Sequence, residues 1–331
     1  MIRRRRFVLA GLISSIDVVI ADTLAPTGGG ALKVVHIATL VPGQPGCNTV
    51  PAGDAFRRGL TDLGYDPLAG VDSRCVIDYS DLPRLVAEML GSKPALFAVW
   101  ALPQTVRAVR QAAPTIPIVF VDVPDPVQLG FVESLSHPGG YSTGISNVSH
   151  DLIAKRVQLL REALPHSSRL AVLGNLANPL QADYLRATRE AALTLHLEPR
   201  TYAVQETSDL PRAFAAMRQD DMETVALLPD AWFYPRRAEI IGLAQRHRIP
   251  AMYTNLGYPA LGGLSTYAAD LIDMSYRAAA YVDKILRGAK PADIPVQQPT
   301  AFDFVINARS AREIGLIVPP SVMLQASQVI E

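Results

Sequence analysis

The sequence predicts an α/β fold of two Rossmann-like lobes, each a parallel sheet with helices on both faces, joined by several crossings of the chain. Three observations lead there. Continuous apolar runs alternate with stretches of helical apolar spacing, this alternation occurs twice, and each round closes on a similar short string. The size agrees, since 331 residues, 49% of them apolar, suffice for two ordinary cores.

Val34–Leu40 is a mainly apolar run, interrupted by His36 and Thr39, and reads as a strand buried on both faces. Asp54–Leu63 has helical spacing and stops at Gly64. Cys75–Tyr79 reads as a second strand, Leu82–Leu90 as a helix ended by Gly91, Ala95–Trp100 as a third strand, Gln104–Ala112 as a helix and Ile116–Val121 as a fourth strand. The second round runs through strand Leu170–Leu173, helix Gln181–Leu195, strand Pro199–Val204, helix Leu210–Arg218, strand Thr224–Leu228, helix Arg237–Arg246 and strand Ile249–Tyr253. Each fourth strand is entered through an Ile-Pro pair, and Gly139-Gly140-Tyr141-Ser142-Thr143 is answered by Gly262-Gly263-Leu264-Ser265-Thr266. These matches suggest pseudo-symmetric halves. A helix at Leu271–Leu286, ended by Gly288, is placed to pack back on the first lobe, which makes the domains discontinuous. A strand at Phe302–Ile306 and a last helix around Val322–Ile330 complete the chain. The expected division is a leader at 1–25, a first lobe of 32–145 plus 268–298, and a second of 146–267 plus 299–331.

Charge excludes some functions. Lys plus Arg and Asp plus Glu each total 31, so the basic excess of a nucleic-acid binder is missing. The N-terminus departs from this balance, with Arg3–Arg6 preceding the apolar run Phe7–Ile13. A basic head before an apolar stretch is the layout of a secretory signal, and Arg4-Arg5-Arg6-Phe7-Val8-Leu9 resembles the twin-arginine type. The run is too short for a membrane span and is broken by Asp17. Export places the chain in the periplasm, where Cys47 and Cys75, following the first strand and opening the second, are expected to meet in a disulfide.

Ligands of open parallel sheets sit outside the carboxyl ends of the strands. The loops there carry Thr39, Leu40, Trp100, Gln104 and Asp122 in the first lobe and Asn175, Asn178, Asp230, Trp232 and Asn255 in the second, with Tyr267 beside the second string. Amide and carboxylate groups among aromatic rings suit a small solute with an apolar body and polar ends. Each of the amides and carboxylates also has an ordinary role as a turn former or helix cap.

Catalytic alternatives are weaker. Gly140-Tyr141-Ser142-Thr143-Gly144 fits the hydrolase elbow, but a Pro-Gly-Gly turn precedes it and no helix follows at once. No paired histidine spacing, phosphate-binding loop or dinucleotide fingerprint occurs, so neither metal nor cofactor is expected.

The chain resembles the solute-binding proteins of a group of ABC transporters related to a tryptophan/tyrosine-type binding family. The pieces that carry this are Ile116–Val121 with Asp125-Pro126-Val127 and Leu129-Gly130, then Pro138-Gly139-Gly140, Arg236-Arg237, Ile249-Pro250-Ala251 and Gly262-Gly263, the tail Gly288–Thr300, Val305-Ile306-Asn307 and Ile317–Ser321. The resemblance implies the type I periplasmic-binding fold with three crossings, capture of a small solute between the lobes, delivery to a membrane permease, no enzymatic activity and a monomer. It also implies that Gly140, Thr143, Gly263 and Thr266 lie at the hinge. Asp122 departs from the small residue usual in relatives and favours a cationic or donor group in the ligand. A ligand sensor for a signalling receptor is the second reading, and a hydrolase on a related scaffold the third.

Exported protein is expected to lack its first 21–25 residues. Mass spectrometry of periplasmic material checks this, and an intact Met1 there contradicts the leader.

Overall fold

The computed structural model describes residues 32–43, 51–101, 103–178 and 180–331. The leader and Cys47 lie outside them.

The first apolar run forms β1 (Ile37–Pro42), followed by α1 (Pro51–Asp62) and the short α2 (Pro67–Gly70). Strand β2 (Val71–Val76) starts four residues before the expected position and ends where Asp78 caps a 3-10 turn at Tyr79–Asp81. It is an edge strand, and Asp72, Ser73 and Arg74 hide it from a search for apolar runs. Next come α3 (Leu82–Leu90), β3 (Leu96–Trp100), α4 (Pro103–Ala112), β4 (Ile118–Pro124) and β5 (Ser142–Asn147). The five strands make one parallel sheet in the order β2-β1-β3-β4-β5.

Side chains alternate across this sheet because strand residues point to opposite faces in turn. Phe97, Val99, Ile118 and Phe120 pack against Val86 and Met89 of α3 and Val106 and Val109 of α4. Leu96, Ala98, Trp100, Val119 and Val121 pack on the other side against Phe56 and Leu60 of α1.

The second lobe opens with α5 (Leu152–Ala163), a helix not expected from the sequence, then β6 (Arg169–Asn175), α6 (Gln181–Thr194), β7 (Glu198–Val204), α7 (Asp209–Gln219), β8 (Thr224–Leu227), α8 (Arg237–His247), β9 (Ala251–Tyr253) and β10 (Ser265–Ala269). Helix α9 (Leu271–Leu286) returns to the first lobe, where Met274, Ala278 and Val282 complete the core beside α1. The chain then goes back to the second sheet as β11 (Phe302–Asn307), α10 (Ala308–Glu313), α11 (Pro320–Met323) and β12 (Gln328–Ile330). This sheet runs β12-β11-β10-β9-β8-β6-β7, parallel throughout except for β10 against β11. The expected C-terminal helix is thus corrected to one helical turn and a strand. Val329 and Ile330 are β-branched and pair with Ile306 and Asn307, and Ser327 donates its N–H to the Phe304 carbonyl.

Three crossings join the lobes, at 148–151, at Asp270 and at 294–301. Two run side by side, since Ile145 bridges Gln297 and Ser146 donates its N–H to the Gln297 carbonyl. The glycine strings lie at the opposite ends of β5 and β10 from these crossings. Thr143 and Thr266 are buried and hydrogen-bonded to the carbonyls of Ile294 and Tyr253. Gly263 is required for close approach, because a Cβ there would stand 2.9 Å from the Tyr258 carbonyl. Gly144 has φ +147°, and a Cβ there would overlap the Phe120 carbonyl of the neighbouring strand. Gly140 has open space around it.

Gly144→Ala should therefore cost at least about 2 kcal/mol of stability, and Gly140→Ala less than about 0.5 kcal/mol. Denaturant unfolding of the two variants checks this, and equal midpoints would contradict it.

Candidate functional site

The carboxyl ends of the two sheets face each other, and the residues there are polar where the sheets behind them are apolar. Asp122 sits at the end of β4 on a register shift between Val121 and Val123, with φ +60°. A non-glycine residue in this region is strained, and a bulge re-aims its side chain. Asn147, at the end of the adjacent β5, donates its side-chain amide to the Asp122 carbonyl at 2.8 Å. Burial pushes the Asp122 carboxyl up to about 6, opposed by Asn147 and by the charge of Arg156.

Arg156 is a buried guanidinium on the inner face of α5, 5% exposed. Its Nε donates to the Tyr267 carbonyl at 2.8 Å, and its terminal nitrogens to the Ser149 and Thr254 carbonyls at 3.4 and 3.5 Å. It thereby ties the first crossing to the end of β9 and the middle of β10. Burial pulls its pKa down to about 10, with Tyr184, Asp122 and Tyr267 acting against the shift.

The second lobe contributes three loops held by their own side chains. Asn175 Oδ1 accepts the Ala177 N–H at 3.1 Å, Asn178 Oδ1 accepts the Leu180 N–H at 3.0 Å, and Asp230 Oδ1 accepts the Trp232 N–H at 2.8 Å. Burial raises the Asp230 pKa, while the Trp232 N–H and the amides of Asn178 and Asn175 hold it down. Its other oxygen, Oδ2, is buried and accepts no hydrogen bond from a described residue. The same holds for Gln104 Oε1 at the start of α4 and for the Tyr184 hydroxyl on α6. That hydroxyl lies within the electrostatic reach of Asp125, Arg156, Asp230 and Asp122 together.

The lobes touch across this region. Gln128 of the first donates to Asp183 of the second at 3.0 Å, Ala231 packs on the first lobe's core, and Leu129 packs on the cores of both. Arg236 lies 3.9 Å over the Trp232 ring, and its charge is felt by Asp78 and Tyr79 of the first lobe.

Asp122 and Asp230 both act on Tyr184, Asn175 and Asn178 lie beside Asp230 with half-buried Trp232, and Gln104 is at the start of α4. The fold places other expected residues elsewhere. Leu40 is in the core, and Thr39 donates to Ser73 Oγ of the edge strand at 2.6 Å. Trp100 points away from the cleft: its ring meets Phe56 edge-on at 5.0 Å and its Nε1 donates to Ser275 Oγ of α9 at 3.0 Å. It is the last residue of a strand whose alternation sends it to the α1 face. The Tyr267 ring stacks on Phe302, while Asn255 Oδ1 accepts the Gly257 N–H of its own turn just as Asn175 and Asn178 hold theirs, next to the Thr254 carbonyl that receives Arg156. The sequence reading missed Asn147, Arg156 and Tyr184. A polar residue on the inner face of a helix, beside Ile153 and Val157, was the available signal for Arg156.

Cys75 is disulfide-bonded. Ser142 is buried within the extended β5, which is no hydrolase elbow. Among the described residues no group of three or more His, Cys, Asp or Glu is placed to hold a metal, and no helix is long and apolar enough to cross a membrane.

Trp100→Phe should cost about 1–3 kcal/mol through the lost hydrogen bond and the void, with solute affinity unchanged. Paired denaturation and titration check this, and a loss of affinity in a stably folded variant would return Trp100 to the site.

Comparison with known proteins agrees with this geometry. The family described as ABC transporter substrate binding protein matches residues 45–330. A tyrosine-binding protein of Clostridioides difficile strain R20291 is 22% identical over 287 residues, covering 86% of this chain and 81% of the relative. Among solved structures, a conserved domain protein of Vibrio cholerae superposes with TM-score 0.79 at 24% identity, covering 90% of this chain and all of that one. An ABC domain of Streptococcus pneumonia in complex with L-Trp also gives 0.79, at 22% identity and 89% and 100% coverage. The ligand-free, open structure of a Clostridium difficile substrate binding protein with adhesive properties gives 0.62, at 19% identity and 90% and 99% coverage. The match extends over both lobes and the three crossings, and the chain belongs to the ABC transporter substrate binding protein family.

Proposed function

We propose that this protein captures a small amino-acid-type solute between its lobes outside the cytoplasm and presents it to an ABC permease. The carrying observation is the set of buried polar atoms that have no hydrogen-bond partner among the described residues where the lobes meet, Asp230 Oδ2 and the Tyr184 hydroxyl foremost. Buried polar groups are nearly always hydrogen-bonded, so such atoms at a lobe interface call for a partner from outside the chain. Asp230 is anchored by the Trp232 N–H through one oxygen, with the amides of Asn178 and Asn175 beside the carboxyl, and in this reading its other oxygen receives an ammonium group of the solute. The names of the relatives support an amino-acid-like solute, since one is tyrosine-binding and another was solved with L-Trp.

The solute acts by differential affinity. In an open form it meets one lobe, and in the closed form it meets both, so binding shifts the population toward closure. The closed form is the one expected to dock on the permease. The protein acts as a monomer and performs no chemistry on its solute.

The leader at 1–25, with its twin-arginine pattern, supports export to the periplasm. A disulfide at Cys75 suits that oxidising compartment, and Cys47, the other cysteine of the chain, is its partner in this reading.

Binding should compact the protein in X-ray scattering, and Asp230→Ala should weaken the best amino-acid or amine ligand at least tenfold, about 1.4 kcal/mol, by calorimetry. Unchanged dimensions at saturation, or an unaltered dissociation constant, would count against the reading.

A further inference from the structure

We infer that the turn 125–131 is a clasp of the first lobe, whose Leu129 seats in the second lobe and biases the solute-free protein toward the arrangement in which the lobes touch. The inference goes beyond solute capture, since it concerns the protein before any solute arrives.

The turn is built into the first lobe. It follows β4 directly and folds on itself, the N–H groups of Leu129, Gly130 and Phe131 donating to the carbonyls of Asp125, Val127 and Pro126 at 3.0, 3.0 and 2.8 Å. Gly130 closes it at φ +69°, a conformation that a side chain would strain. Helix α4 holds the turn from outside. Arg110 donates to the Gly130 carbonyl at 2.8 Å, and the Arg107 guanidinium lies 5.9 Å over the Phe131 ring. Phe131 and Val132 are buried in the first lobe's core. A turn bonded on all these sides moves with its own sheet.

From this base it meets the second lobe at several points. Gln128 Nε2 donates to Asp183 Oδ2 of α6 at 3.0 Å. Leu129 packs on a core of each lobe. Burial raises the Asp125 pKa, and the charges of His150 and Asp151 in the first crossing and of Asp183 on α6 act on the same carboxyl.

These contacts differ in what they can hold. The Gln128–Asp183 pair is exposed, and such a pair gains little over the water it displaces. Around Asp125 the signs oppose one another, since His150 attracts the carboxylate while Asp151 and Asp183 repel it. Leu129 is apolar, and parting the lobes would return its side chain and its seat to water. The other margin of the cleft has its own contacts. Ala231 packs on the first lobe's core, and the charge of Arg236 reaches Asp78 and Tyr79. Ala231 brings only a methyl group, and Arg236 is bonded within its own lobe to the Trp232 carbonyl and the Thr207 hydroxyl. The weight of the apolar closure therefore falls on Leu129. A clasp of this kind raises the fraction of molecules already arranged to hold a solute, and apparent affinity rises with that fraction.

X-ray scattering of the purified, extensively dialysed protein without added solute tests this. Leu129→Ala should have a larger radius of gyration than the wild type. Leu129→Met, which keeps the apolar volume, should stay at the wild-type value. So should Val127→Ala, whose exposed side chain lies on the same turn. Should Leu129→Ala fail to fold, the milder Leu129→Val should expand in the same direction by less. An unchanged radius in the folded truncation, or an equal expansion in Leu129→Met or Val127→Ala, would overturn the clasp. No arm of this experiment uses a solute, so solute capture stands or falls separately, on compaction when a solute binds.

Discussion

A buried guanidinium has to be partnered, and the way Arg156 meets that requirement organises the centre of the molecule. Leaving such a charge unpaired in a protein interior costs several kcal/mol. Arg156 is surrounded by carbonyls from three separate segments, the first crossing, the loop after β9 and the middle of β10, so these segments are fixed relative to α5. Its counter-charge, Asp122, comes from the other lobe and makes no direct ion pair with it, so the attraction is exerted across the hinge. One side chain thus couples the geometry of the crossings to the electrostatics of the cleft.

Around this polar centre the rest is apolar packing. Each sheet is covered on both faces, and the four core clusters fall two to a lobe, with Leu129 and Ala231 packing across the boundary. Such sandwiches are stiff and close-packed, which confines conformational change to the crossings. The polar interlobe contacts among the described residues include Gln128 to Asp183 at the surface and Arg236 near Asp78, beside the apolar packing of Leu129 and Ala231. Exposed polar contacts of this kind contribute little to stability, so closure is poised to respond to a solute.

Much of the fold was legible because strands buried on both faces read as apolar runs. Strand β3 and the body of β4 fall where the sequence put them, and α3 and α9 have the expected limits. The misses have physical causes. Strand β2 is a polar edge, and β12 is a three-residue edge strand beyond a short helix. Helix α5 was hidden because Lys155 and Arg156 interrupt its apolar stripe, so the residue that makes the helix important also broke the pattern that would have revealed it. At the site, position after a strand identified Asp122, Asn175 and Asp230, but it could not tell which face Trp100 would take, nor that Tyr184, two turns of chain beyond Asn178, would turn its hydroxyl to the same place. Of the glycines before β5 and β10, Gly263 marks a close backbone approach and Gly140 stands in open space, and both lie at the strand ends away from the crossings, where the family resemblance implied a hinge.

The central claim is that the buried acceptors with no partner among the described residues where the lobes meet are the contacts of the solute. A solute-bound crystal structure tests it most directly. The account predicts a solute nitrogen within about 2.7–3.2 Å of Asp230 Oδ2 and a solute donor on the Tyr184 hydroxyl. A solute carboxylate at Asp230, or a solute bound away from both residues, would contradict it.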